Sequence, residues 1–129
     1  MINVTLNDIL NSAETFREIS NKSVPVKTAF RIARLIRELD KENATFDESR
    51  RKIVEKYAER DEAGGMKQTE DGNVILQQDK IVECNGEMID LLNTTIEINA
   101  DKLHIDDLGD IELTPTQMLS LEAFIEEEP

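Results

Sequence analysis

Histidine, cysteine and clustered carboxylates are the side chains from which metal sites, nucleophiles and acid–base pairs are built. This chain offers very few of the first two: His104 is the single histidine and Cys84 the single cysteine. A zinc site needs several imidazole or thiolate ligands, and a catalytic cysteine needs a neighbouring base. One residue of each kind makes no histidine metal set, and a nucleophilic Cys84 would have only His104 to serve as its base. Cys84 falls in an apolar-periodic stretch and reads as a small core residue, and His104 reads as a satisfied or surface histidine. No G-x-x-x-x-G-K-[ST] or G-x-G-x-x-G occurs, so phosphate cradling has no motif behind it.

The acidic stretch from Asp101 to Glu112 has the length and final glutamate of a calcium loop. It fails that test at its third and fifth positions, Leu103 and Ile105, and at its sixth, where Asp106 stands in place of the required glycine. A solvated turn through Asp106, Asp107, Leu108, Gly109 and Asp110, with Glu112 just beyond, is the simpler reading. With 28 acidic residues in the chain, chance proximity of two carboxylates is assured, so paired acids carry no acid–base signal. The expectation is a protein that is not an enzyme and that uses no cofactor or metal.

Charge is distributed unevenly. The net charge is −13 over 129 residues, but residues 1–60 balance at +2 and residues 61–129 at −15. One half can therefore present an anionic face while the other is near neutral. The basic side chains Lys27, Arg31, Arg34, Lys41, Arg50, Arg51, Lys52, Lys56 and Arg60 follow one helical stretch, interlaced with acids at ordinary i,i+4 spacing. Direct nucleic-acid binding is not expected. An acidic partner is, and the chain's own second half is the nearest one.

These side chains must be positioned by a small set of elements. Hydrophobic residues make up 39% and aromatic residues 4% of the chain, so the core must be aliphatic. Residues 5–20 read as a helix with Leu6, Ile9, Leu10, Ala13, Phe16 and Ile19 on one face and Thr5 or Asn7 as cap. From Pro25 to Arg60 a second, long helix is predicted, with Ala29, Ile32, Ile36, Leu39, Asn43, Phe46, Arg50, Ile53 and Tyr57 spaced alternately by three and four. Such a helix would span roughly 50 Å. Thr45 to Glu48 matches a capping box that would start a new helix, but the spacing passes through Asn43 and Phe46 in phase, which favours continuity. Gly64-Gly65 is the expected stop. The first helix covers only about half of the second, so Ile36, Leu39, Asn43, Phe46, Arg50, Ile53 and Tyr57 are left as candidates for contact with a partner.

After the glycines the period changes. Met66 to Thr69 and Val74 to Gln77 flank Asp71-Gly72, a hairpin signal. A helix from Asp79 follows, with Ile81, Cys84, Met88, Ile89, Leu91 and Leu92 inward. Short strands are expected at Ile96 and Ile98, at Leu103 to Ile105, and at Ile111 and Leu113. Thr114-Pro115-Thr116-Gln117 starts a last helix, with Met118, Leu121, Ala123 or Phe124, and Ile125 inward and a frayed end at Glu126 to Glu128. No internal repeat is evident. The reading is an α+β, mainly helical single domain over 1–129: a long helical hairpin in 1–63, then an acidic α+β half in 64–129 with a small β-hairpin, a helix, short strands and a C-terminal helix. No apolar run approaches the ~20 residues of a membrane span, and Met1 to Leu10 has no signal-peptide pattern. With one cysteine, a soluble intracellular chain is expected.

The run Ile53-Val54-Glu55-Lys56-Tyr57-Ala58-Glu59-Arg60-Asp61-Glu62-Ala63-Gly64, then Asp71-Gly72-Asn73 and Glu87 to Asn93, resembles a group of small, acidic, mostly helical bacteriophage and prophage proteins of unassigned function. The likeness covers roughly residues 25–95, and Ile111 to Ile125 departs from it. It implies a phage of a Gram-positive host, with the host cytoplasm or the virion as location. Two roles follow. One is an interaction or assembly protein that docks on a protein partner or on itself through the long helix. The other is an acidic nucleic-acid mimic that inhibits a host restriction or CRISPR nuclease through carboxylates such as Asp106, Asp107, Asp110 and Glu112.

Overall fold

The computed structural model describes residues 1–127. The fold is α+β and mainly helical. In chain order it comprises β1 (Ile2–Thr5), α1 (Leu6–Ser20), α2 (Val26–Tyr57), α3 (Ile81–Leu92), β2 (Thr95–Ile98), β3 (Leu103–His104), α4 (Pro115–Ser120) and β4 (Ile125–Glu126). Single 3-10 turns occupy Gln78–Lys80, Ile105–Leu108 and Glu122–Phe124.

The chain divides into two compact units, Met1–Asn43 together with the chain from Thr94 onward, and Ala44–Asn93. These bounds cut across the expected division into 1–63 and 64–129. The cause is a pairing the sequence did not announce. β1 and β2 run antiparallel with Ile2 opposite Ile98 and Val4 opposite Ile96, which returns residues 94–98 to the beginning of the chain.

In the first unit, Thr5 ends β1 and caps α1. Its hydroxyl accepts from Asp8 N at 3.1 Å, and Asp8 Oδ2 accepts from Thr5 N at 3.0 Å, a capping box that fixes the helix start. Phe16 of α1 meets Phe124 edge to face at 5.5 Å, and Thr15 shares a 2.8 Å hydrogen bond with Ser120 of α4. The Thr114–Gln117 box starts α4 as its sequence implies. That helix stops at Ser120, and Ile125–Glu126 leaves to form β4, parallel to β3. The frayed helical end expected at Glu126 is thus replaced by a strand, while Glu128 lies outside the described residues. Ile111 and Leu113 form no strand.

The long helix is continuous through Thr45. Its buried line in the first unit is Thr28, Ile32, Leu35 and Leu39. Leu35 is fully buried and Ile36 only partly, while Ala29 is exposed, so the inward face is turned by part of a residue step from the expected series.

In the second unit the helix ends at Tyr57, not at Gly64-Gly65. The next residues find backbone partners elsewhere. Glu59 N donates to Ile75 O at 2.8 Å, Ile75 N to Lys67 O at 2.9 Å, and Lys67 N to Glu59 O at 2.9 Å. Three extended segments, each eight residues on from the last, thus pair in a closed ring. The same offset relates the connections. Asp61 N, Thr69 N and Gln77 N donate to Gly65 O, Asn73 O and Tyr57 O, and Gly64 N, Gly72 N and Lys80 N close the turns. Gly64 and Gly72 take φ of 85° and 84°, a region open to glycine. An eight-residue structural repeat is therefore present where the sequence showed none. Closing the ring leaves no unpaired edge among the three segments.

Candidate interaction site

The first unit carries an open apolar groove between α1 and α2. One stretch, about 250 Å³, is lined by Ile9, Ala13, Phe16, Ile36, Leu39 and Asn43. The next, about 510 Å³, is lined by Val24, Ala29, Ile32, Ala33 and Ile36 among others. Ser20, Ile36 and Asp40 belong to both, so the two stretches form one channel. Its width follows from residue size: alanine at 13, 29 and 33 and serine at 20 leave space that larger side chains would fill. Arg17, Lys22 and Arg37 stand on its rim with Asp40 as the acid. Lys22 Nζ donates to Glu112 O at 3.1 Å.

At one end of the groove Asn43 Oδ1 is buried without a hydrogen-bond partner. An unsatisfied buried acceptor costs about 1–3 kcal/mol, so the chain holds a polar group there that its own atoms do not serve.

Of the long-helix candidates, Ile36, Leu39 and Asn43 come together in this groove. The others do not join them. Phe46 is buried within the second unit, Ile53 and Tyr57 are half-buried, and Arg50 is exposed, so Arg50 fills no slot of a seam. Periodicity marks which residues share a helical face but not which of them the same chain already covers.

Tyr57 belongs to a polar cluster of the second unit. Lys56 Nζ donates to Glu87 Oε1 at 2.9 Å and lies 5.1 Å from the Tyr57 ring centre. Hydrogen bonds from Lys56, then from Tyr57, hold the Glu87 carboxyl below the ordinary carboxylate value. The bond to Glu87 raises Lys56. Burial pushes the Cys84 thiol up, with the Glu87 charge adding to it. Low thiolate character suits the core role read for Cys84.

The four acidic candidates separate. Asp106, Asp110 and Glu112 are exposed. Asp107 is not a free surface acid: its carboxylate accepts from His104 N at 3.0 Å and from Arg31 Nη1 at 3.2 Å. His104 Nδ1 in turn lies 3.6 Å from Glu126 Oε2.

The sequence reading missed the outer face of α3. Val82 is 82% exposed and Ile89, expected inward, is 56% exposed. Their seven-residue spacing, two helical turns, is the signal that could have placed them together.

Comparison with models of known protein families, with curated proteins and with solved structures finds no match. Fold and groove define the class: an α+β, mainly helical protein with an open helical groove. Among the described residues no helix is long and apolar enough to cross a membrane. No group of three or more His, Cys, Asp and Glu side chains among them could hold a metal ion.

Proposed function

We propose that the chain is a non-enzymatic phage or prophage interaction protein that docks on a partner or oligomerises through its long helix. The observation that carries this reading is the open channel along α1 and α2, with Ile36 in both stretches. An apolar groove floored by small residues is the shape into which an amphipathic helix is laid. The resemblance of residues 53–64, 71–73 and 87–93 supports the phage setting. The test is recovery of the tagged chain from phage-infected cells beside its Ala33→Glu variant, which places a charge in the groove. Virion components or further copies of the chain that are present with the parent and lost with the variant support the reading. Partners retained in full by the variant overturn it.

A second reading keeps one specific support. Asp106, Asp110 and Glu112 are exposed on an acidic half, as an inhibitor that imitates nucleic acid requires. A host nuclease recovered in the same experiment, and released by salt, would move the assignment to that reading.

A further inference from the structure

We infer that the α1–α2 groove of one copy receives the outer face of α3 from a second copy. The inference rests on reading the groove as a docking surface and names its occupant. Val82 and Ile89 sit two turns apart on α3 and are 82% and 56% exposed. Exposed apolar side chains aligned in this way mark a contact face.

Gly86 lies between them. A Cβ added there would meet nothing within 4 Å, and its φ is not positive, so nothing in its own chain calls for glycine. In a helix interior it costs up to about 1 kcal/mol against alanine. Its physical use is to let another backbone approach closely. The groove offers the matching surface, since Ala13, Ser20, Ala29 and Ala33 keep its walls low.

Charge selects the same pairing. The groove rim is cationic at Arg17, Lys22 and Arg37, against the single acid Asp40. α3 carries the acids Glu83 and Asp90 and no lysine or arginine, its third acid, Glu87, being held by Lys56. In a chain of net charge −13, a cationic rim beside an apolar channel is the minority surface, and α3 is a face of opposite sign. Lengths agree as well: residues 29–43 of α2 span about 21 Å and the twelve residues of α3 about 18 Å.

Groove and α3 face are different patches, so the contact is heterologous. Repeated head to tail it closes into a ring or extends, and made reciprocally by two copies it gives a two-fold dimer instead.

The experiment is light scattering on the full chain over a concentration series, beside Ala33→Glu and the double variant Val82→Asp/Ile89→Asp. All three positions are exposed, and circular dichroism checks that the variants fold. The parent is expected above monomer mass, rising with concentration, and each variant at monomer mass. An equimolar mixture of the two variants should form a 1:1 complex, since one keeps an intact α3 face and the other an intact groove. A monomeric parent, a double variant of parental mass or a mixture that stays monomeric overturns the inference. Were Ala33→Glu alone to lower the mass, the groove would still dock a copy by another face, and only this inference would fail. Parental mass for both variants would remove the groove from self-association altogether.

Discussion

Arg31 Nη1 lies 3.2 Å from Asp107 Oδ2, and the same oxygen accepts from His104 N at 3.0 Å. One carboxylate thereby ties α2 to the start of the turn Ile105–Leu108. The long helix does take an acidic partner from the chain's own second half, here and again at Lys56 and Glu87.

That double use separates Asp107 from its neighbours. Asp107→Ala is expected to lower stability by about 1–2 kcal/mol, since it removes a backbone hydrogen bond and a partly exposed ion pair. Changing Asp106, Asp110 and Glu112 to Asn or Gln together should move stability by no more than about 0.5 kcal/mol. Urea denaturation of the two variants compares them directly. Equal losses would mean that Asp107 is only a surface acid.

The inward face of α2 is tested at two adjacent residues. Leu35 is fully buried and Ile36 lines the groove. Leu35→Ala should cost about 2–5 kcal/mol, as large-to-small core changes do. Ile36→Ala should cost less than half as much. The reverse order would restore the series that runs through Ile36.

Asn43 is expected to respond in the opposite sense to most core changes. Its Oδ1 is buried and unpaired, so Asn43→Leu should raise the stability of the isolated chain by about 1 kcal/mol. A rise in Tm confirms the orphaned acceptor. A fall of that size would show that the carboxamide is satisfied in solution.

Three glycines give contrasting outcomes. Gly64 and Gly72 have positive φ, whereas Gly86 does not. Alanine at either of the first two should destabilise by about 1 kcal/mol or more, and alanine at Gly86 should stabilise the monomer by up to about 1 kcal/mol. Thermal melts at low concentration check all three.

The Lys56–Glu87 pair gives a pH dependence with a defined sign. Glu87 is held below its ordinary value, so its contribution is complete above the unfolded carboxylate pKa and is lost as pH falls through the folded one. Lys56 is raised, so its share is present below the ordinary lysine value and lost as pH climbs past it. Glu87→Gln should flatten the acid limb of a Tm–pH curve and, because Glu87 is the main cause of the Lys56 shift, weaken the alkaline limb as well. An unchanged acid limb would remove Glu87 as a source of that dependence.

Elements whose hydrogen bonds close within a few residues were legible in the sequence. Thr5 with Asp8 and Thr114 with Gln117 cap their helices through side chains three positions away. The long helix carries its partners at i+4, and the Asp71-Gly72 turn closes within Thr69–Asn73. The tertiary structure decided everything whose partner lies far along the chain. β1 waits for residues 95–98 to become a strand. The long helix ends at Tyr57 because Glu59 N finds Ile75 O, sixteen positions on, and not a carbonyl of the helix. Leu35 displaces Ile36 from the core, Val82 and Ile89 remain outside, and Asp107 turns from surface acid to tie, because each is set by what packs against it. Periodicity fixes a helical face only to within a residue step, and neighbours distant in sequence choose the side chain that is buried.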